Sequence, residues 1–487
     1  MFWALTAAIY FTIESSNFLF LFSVKSVGAT IPLQSLLDKT IARLMEFVEV
    51  SSAISQVTLI CKWGCDGSSG YSDFMYKPNK EESLASEDEG ASTEEYEKED
   101  IEINVSMQNL FIMSLVPLRL IKTDDEKTIL WENPRPSSTQ WCRCIRMLYM
   151  KETPRLIMQE VRSIEREIKN LKPYNSGELI CHYQLCLTML NGEAISAITK
   201  VPSQVCHICK AKPTQMNNMD NTQFKNVNIN DLKYGLTTMH AWIKAMELIL
   251  HLGYYLKLKK PTIRNATTAE KDEIERRKAD IKAKLKEQLG LHIDKIIQGR
   301  GTSNTGNVGR KFLKNYKIVS KITGVYEKLI EKLYFIMITL SCGEEINLEA
   351  FKLFARETAE LYVSKYNWYR LPVSIHKILM HGAETAKELI LPISLMSEES
   401  QESCNKLYRR IRERHTRKNT LLHMTEDVIR TMMLQSDPIL SNIRLTSYNR
   451  KTKKIHELPE EVRSLINIKI LESEEEEDYD DDDDDDF

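Results

Sequence analysis

No segment of the 487-residue chain repeats at a fixed period, which excludes solenoid, propeller and array architectures. The ten cysteines are irregularly spaced apart from Cys206 and Cys209. They make no disulfide framework, and a reducing compartment is the simplest setting. The apolar start, "MFWALTAAIYFTIESSNFLFLFSV", lacks a basic stretch ahead of it, and Glu14, Ser15, Ser16 and Asn17 break it before it can span a bilayer. Residues 1–30 therefore read as a packed apolar segment or a misassigned first exon. Targeting or membrane association through residues 1–28 is the alternative.

Bases are scarce where acids gather. Residues 81–102 hold eleven acids and one lysine, and residues 472–487 hold thirteen acids and no base. Like charges repel and offer no core, so both stretches are expected to be disordered and solvated. They also hide the character of the rest. The formal net charge is −3, yet the remaining chain carries 65 basic residues against 45 acidic ones, about +20. That is the electrostatic footprint of a polyanion binder.

Runs rich in β-branched and aromatic residues predict strands over 56–64, 106–121, 127–132 and 179–190. Residues 153–171 have helical spacing with Pro154 near the start. These make an α/β unit with the acidic loop between its first two strands. From about 230 to 435 the pattern is helical. Thr267 and Glu270 form a capping box, and Gly290 closes the same helix. "GRGTSNTGNVGRKF" (299–312) is a Gly-rich loop feeding another helix.

Four groups of residues carry chemistry. Asp66, in "KWGCDGSSGYS", is expected just beyond the first strand in a Gly/Ser turn that lets a phosphate approach. Asn191, in "TMLNGEA", ends the last strand at an Asn-Gly turn, where phosphate-handling enzymes place a carboxylate. Glu402 opens an acid-to-base helix, with Lys406, Arg409, Arg410, Arg414 and Arg417 on roughly one face beyond it. Cys206, Cys209, His376 and His381 have the number and type of ligands of a tetrahedral structural zinc. Histidines five apart do not share a helical face, so a helix end at Gly382 is expected to bring them together. Each group has a bland counterpart: a turn aspartate, a solvated basic face, buried thiols and unrelated histidines.

Taken together, "KWGCDGSSGYS", "LWENPRPSSTQWCRCIR", "LTMLNGEA…VCHICKAKPTQMN", "TGNVGRKF", "IHKILMH" and "SEESQESCNKLYRRIR" resemble, in order and spacing, the Transib transposases and the catalytic subunit of the V(D)J (RAG-like) recombinase. The resemblance covers roughly residues 30–440. It implies α/β plus α: an RNase H-like part over 31–200, a zinc-binding helical insertion over 201–398, the catalytic-Glu helix and C-terminal helices over 399–440, and a linker and acidic tail over 441–487. It places the family's first acid on Asp66, its second on Asn191 and its last on Glu402. The Cys/His quartet falls on the family's structural zinc. His240 and Arg310 become candidate DNA contacts beside Lys406, Arg409, Arg410 and Arg414.

The family's chemistry needs several carboxylates to hold two Mg²⁺ or Mn²⁺ ions about 4 Å apart, clamping the attacking and leaving oxygens. Asn191 offers no charge, and Glu193 lies past the turn, so strand cleavage and transfer are expected to be lost or impaired. The chain also departs from the family in lacking a long DNA-recognition region ahead of the core. What is implied is a nuclear, double-stranded-DNA-binding homodimer, with the acidic tail open to basic proteins. The rival is a non-catalytic DNA- or chromatin-binding protein retained by a host.

The tail's charge has a measurable consequence. Thirteen tethered acids compete with DNA for a basic surface at high local concentration. Deleting residues 472–487 should tighten duplex binding, most at low salt where screening is weakest. Equal affinities of full-length and truncated protein at low salt would exclude this masking.

Overall fold

The computed structural model describes residues 22–25, 28–70, 107–219, 227–260, 266–297, 301–446 and 457–467. The acidic stretches 81–102 and 472–487, and apolar residues 1–21, lie outside the described residues. Two hairpin strands, β1 (Ser23–Lys25) and β2 (Gly28–Thr30), form one edge of a mixed sheet. Helix α1 (Leu33–Leu44) follows, then the long strands β3 (Gln56–Ser69) and β4 (Asn109–Lys122), β5 (Asp125–Glu132) and β6 (Arg143–Leu148). Helix α2 (Pro154–Lys169) leads to β7 (Tyr174–Asn175), β8 (Ile180–Leu190) and the short helix α3 (Gly192–Thr199).

The sheet order is β1-β2-β6-β4-β3-β8-β7, with β5 on β4. Strand β3 runs antiparallel to β4 and parallel to β8. Both central strands are buried almost throughout, which is why they read as continuous apolar runs rather than alternating ones. Helix α2 covers the sheet with Leu156, Ile157, Val161 and Ile164, each contributing about 1.5–3 kcal/mol by burial.

Two sequence expectations change here. Residues 143–148, read as no element, form β6. Its arginines hid it: Arg143 is fully buried, and Arg146 pairs with Glu160 and, at 3.1 Å, with Glu167 of α2. The first strand does not stop at Gly64 but continues through Asp66 to Ser69, because β4 keeps pairing with it from Asp66↔Ile112 to Ser69↔Asn109. Asp66 is thus a strand residue, not a turn residue.

The rest is mainly helical, apart from a two-stranded hairpin of Ile296–Ile297 with Gly301–Thr302: α4 (Thr238–Tyr255), α5 (Thr268–Leu289), α6 (Gly306–Lys314), α7 (Tyr316–Thr323), α8 (Glu327–Ser341), α9 (Leu348–Tyr366) and α10 (Val373–Glu388). They enclose a second apolar core drawn from residues 206–393. The capping box of Thr267 and Glu270 and the Gly290 cap of α5 are present. Helices α11 (Glu399–Arg414), α12 (Leu421–Gln435) and α13 (Pro438–Thr446) then return to the sheet, where Cys404, Leu407, Tyr408, Val428 and Met432 join the first core. The architecture is mixed α/β plus a large helical part. Among the described residues no helix is long and apolar enough to cross a membrane.

Gly64 is where β3 and β8 come closest. A Cβ there would sit 1.9 Å from the Met189 carbonyl oxygen, at the point where the register shifts between Trp63 and Gly64. Gly64→Ala should push the two strands apart and cost at least about 3 kcal/mol. Thermal denaturation checks this, and a melting temperature within a degree or two of the parent would refute it.

Candidate active site and metal centre

Strands β3 and β8 are adjacent and parallel, so they end on the same side of the sheet, the usual place for ligands in such folds. Cys65 lies opposite Leu190, which sets the next residues, Asp66 and Asn191, side by side. Asn191 does not make a turn. It is the N-cap of α3, its Oδ1 accepting from the Ala194 amide at 2.7 Å. Glu193 lies in the first turn of that helix.

The cap decides what Asn191 can do. With Oδ1 occupied, its NH₂ group faces the acids: Nδ2 donates to Asp66 Oδ1 at 2.7 Å and to Glu152 Oε1 at 3.3 Å. Rotating the amide would set the NH₂ against the Ala194 N–H and leave the helix uncapped. Asn405, on α11, donates to the other Asp66 oxygen at 2.5 Å. Asp66 therefore receives two amide donors while it is buried.

Helix α11 brings Glu402 to the same place. His240 Nε2 lies 3.4 Å from Glu402 Oε1, and its Nδ1 lies 3.1 Å from Glu398 Oε1. Arg310 pairs with Glu399, its guanidinium 5.7 Å from the Trp242 ring centroid. The two histidine and arginine candidates for DNA contact are thus engaged by acids at the start of α11. Lys62, fully buried on β3, donates to the Ser397 carbonyl at 2.7 Å and fixes the start of that helix to the sheet. Burial pushes its pKa down to about 8.

Burial, then Glu402 and Glu152, raise the Asp66 carboxyl well above its ordinary range, against the pull of the two amides. Burial likewise raises Glu152 and Glu402. Burial alone would lower His240, but Glu398, followed by Glu402 and Asp66, raises it overall.

Sequence reasoning missed Glu152, Asn405 and Glu398. Glu152 precedes the Thr153 N-cap of α2, where an acid reads as an ordinary helix-start charge. In the fold Gly67 N–H donates to its Oε2 at 3.1 Å. The one usable signal for Asn405 was its i+3 spacing from Glu402, which puts both on one helical face.

The basic residues of α11 separate. Lys406, Arg410 and Arg414 form an exposed stripe at four-residue spacing leading away from Glu402. Arg409 donates to the Ser69 carbonyl at 2.9 Å. Arg417 lies past the helix end and pairs with Asp427 at 2.8 Å and Glu426 at 3.4 Å, so it braces α12 and is not part of the stripe.

On the far side, Cys206, Cys209, His376 and His381 are all buried, with donor atoms within 4.8 Å of one another. Cys209 Sγ lies 3.4 Å from His376 Nε2, and His376 Nδ1 is buried without a hydrogen-bond partner. Hydrogen bonding from Cys209 lowers the Cys206 thiol. A set of two thiols and two imidazoles in this arrangement can hold a metal ion. Contrary to the expectation from sequence, Gly382 does not end the helix: α10 runs on to Glu388. It serves packing: a Cβ there would lie 2.8 Å from the Phe351 ring of α9. The two histidines converge from within one helix, their ring centroids 5.5 Å apart.

No known protein family matches the chain, and no curated protein matches it.

The acid cluster does not fit a pair of divalent cations as it stands, because an NH₂ occupies the gap between Asp66 and Glu152. Asn191→Asp removes that donor and adds a fourth carboxylate to Asp66, Glu152 and Glu402. In metal-free protein it should cost about 1–3 kcal/mol. Mg²⁺ or Mn²⁺ should recover the loss in a melting-temperature assay while leaving the parent almost unmoved. A variant as stable as the parent without metal would show that the amide bonds do not hold the cluster.

Proposed function

We propose that the protein is a RAG-like DDE recombinase or transposase core that binds double-stranded DNA and no longer cleaves it efficiently. The observation that carries this is the placement of Asn191: it stands beside Asp66 and Glu152, its amide hydrogens point at both, and Glu402 acts on the same Asp66 carboxyl. Three acids gathered from β3, the start of α2 and α11 are what a phosphodiester-cleaving site needs. The amide supplies the positive end of a dipole where such a site would hold a cation.

Several features support the fold assignment. Strands β6, β4 and β3 follow one another antiparallel, and β8 joins parallel to β3. That order is the one expected of an RNase H-like sheet, and a helical unit between β8 and α11 is what a zinc-binding insertion would be. Zinc is the metal the quartet fits best, since two sulfur and two imidazole donors in a buried cluster are the ligand set it favours. It would tie the Cys206–Cys209 loop to α10. DNA binding rests on the body's charge of about +20 and on the exposed Lys406, Arg410 and Arg414.

The same amide favours a second reading, a non-catalytic DNA- or chromatin-binding protein kept for contact alone. A cluster whose Asp66 and Glu152 are hydrogen-bonded by the chain's own amides does not depend on a metal to hold together and need not be active.

Fresh protein should show no detectable Mn²⁺-dependent nicking of duplex DNA, whereas Asn191→Asp should raise it above background. Mass spectrometry controls for deamidation, to which an Asn-Gly pair is prone. Robust nicking by the parent that disappears in Asp66→Ala would overturn the inactive reading. No nicking by Asn191→Asp would favour the binding protein. For the metal, elemental analysis should give close to one zinc per chain, and Cys206→Ser should remove it and lower solubility, as structural zinc contributes on the order of 10 kcal/mol in small modules. Zinc-free protein that melts like the zinc-bound form would refute a structural role.

A further inference from the structure

His240 also lines a cavity of about 190 Å³. Thr237, His240 and Lys244 of the α4 start line one wall, Ser374 and Lys377 of the α10 start another, and Ser196 of α3 a third. No aspartate or glutamate lines it. Beside apolar Ile195, Val201, Pro202, Val205 and Val373, its polar lining is hydroxyls, imidazoles and two lysines, so the formal charges on its walls are positive.

Independent features point the same way. Lys377 is half-buried and faces no carboxylate among the described residues. Among the described residues Lys244 forms its ion pair with Glu247 on its own helix, at 2.8 Å. Helices α4 and α10 both begin at the cavity; the His240 amide of α4 is taken by Glu398 Oε1 at 3.3 Å, whereas α10 has no side-chain cap on its first turn. The first amide N–H groups and dipole of α10 add positive potential to that of the lysines. His207, 2% exposed, also lines the cavity, and neither ring nitrogen has a hydrogen-bond partner.

We infer that this cavity is a phosphate-binding subsite. It would take a tetrahedral oxyanion, with Lys244 and Lys377 as charge partners and Ser374 and Thr237 as hydroxyl donors. The volume accommodates one such group with some of its water. His240 borders both this cavity and the acid cluster, so the phosphate is assigned to a nucleic-acid strand lying across the cluster, held one step from the bond at Asp66 and Glu402. That assignment rests on the function proposed above. The subsite itself does not, and free phosphate is the other source of the same chemistry.

Two measurements on the full-length protein separate these possibilities. In the first, inorganic phosphate replaces chloride at matched ionic strength. The melting temperature of the parent should rise by a few degrees at tens of millimolar phosphate. Lys377→Gln and Ser374→Asp should lose the rise. Ser374→Asp keeps the proposal testable should Lys377→Gln fail to fold, because an acid in the first turn favours the helix while repelling the anion. In the second, duplex binding is followed by fluorescence anisotropy against salt. Lys244→Gln with Lys377→Gln should shallow the log–log slope by about one per lysine removed and weaken binding several-fold.

Loss of both the phosphate response and the slope supports a strand-phosphate subsite. Loss of the phosphate response alone, with the duplex slope unchanged, overturns the strand assignment and leaves a free-phosphate site. A parent that responds to phosphate but binds no duplex overturns the proposed function, not the subsite. No response in the parent, or an equal one in the variants, overturns the subsite.

Discussion

The close parallel approach of β3 and β8 at Gly64 is the constraint on which the site depends. It aligns the ends of two strands from distant parts of the chain and places Asp66 beside Asn191. Everything else at the site is brought to that pair. The turn after β6 delivers Glu152, Lys62 anchors the start of α11 through the Ser397 carbonyl, and α11 delivers Glu402 and Asn405. A wider β3–β8 gap would separate the residues whatever their identity.

Given that placement, electrostatics sets the problem the fold has to solve. Three carboxylates with little access to water repel one another and lose hydration, so an empty cluster of acids costs free energy. Here the chain supplies its own donors. Two amides meet Asp66, one of them also meets Glu152, and His240 lies between Glu402 and Glu398. Asn191 is effective because a helix cap fixes which way its amide faces. A side chain usually read as a lost ligand therefore has a positive structural task.

The Cys/His quartet works at longer range. Its halves are 167 residues apart in sequence, and they meet where the loop after α3 touches α10. Helices α4 and α10 start near that junction, so the Cys/His cluster and the cavity lined by Lys244 and Lys377 share the same scaffold. The rest of the helical core follows ordinary packing, with Gly382 allowing α10 to lie tightly against Phe351.

Local pattern was enough for much of this. Charge segregation, the four apolar strands, the Pro154 helix start, the Thr267–Glu270 box and the ligand types of the quartet are all properties of neighbouring residues, which obey local rules. Those rules run out where a residue's role is set by what crosses it. Strand β6 carried two arginines whose partners lie on other elements, so its sequence does not look like a strand. Asp66 looked like a turn residue until β4 paired with it, and Gly382 looked like a helix end until Phe351 packed on it. Glu152 and Asn405 became site residues only through contacts 39 and 339 positions away. The sequence by itself determined which groups were available; tertiary structure decided which of them meet, because distance through space is fixed by long-range strand pairing and packing that no local window contains.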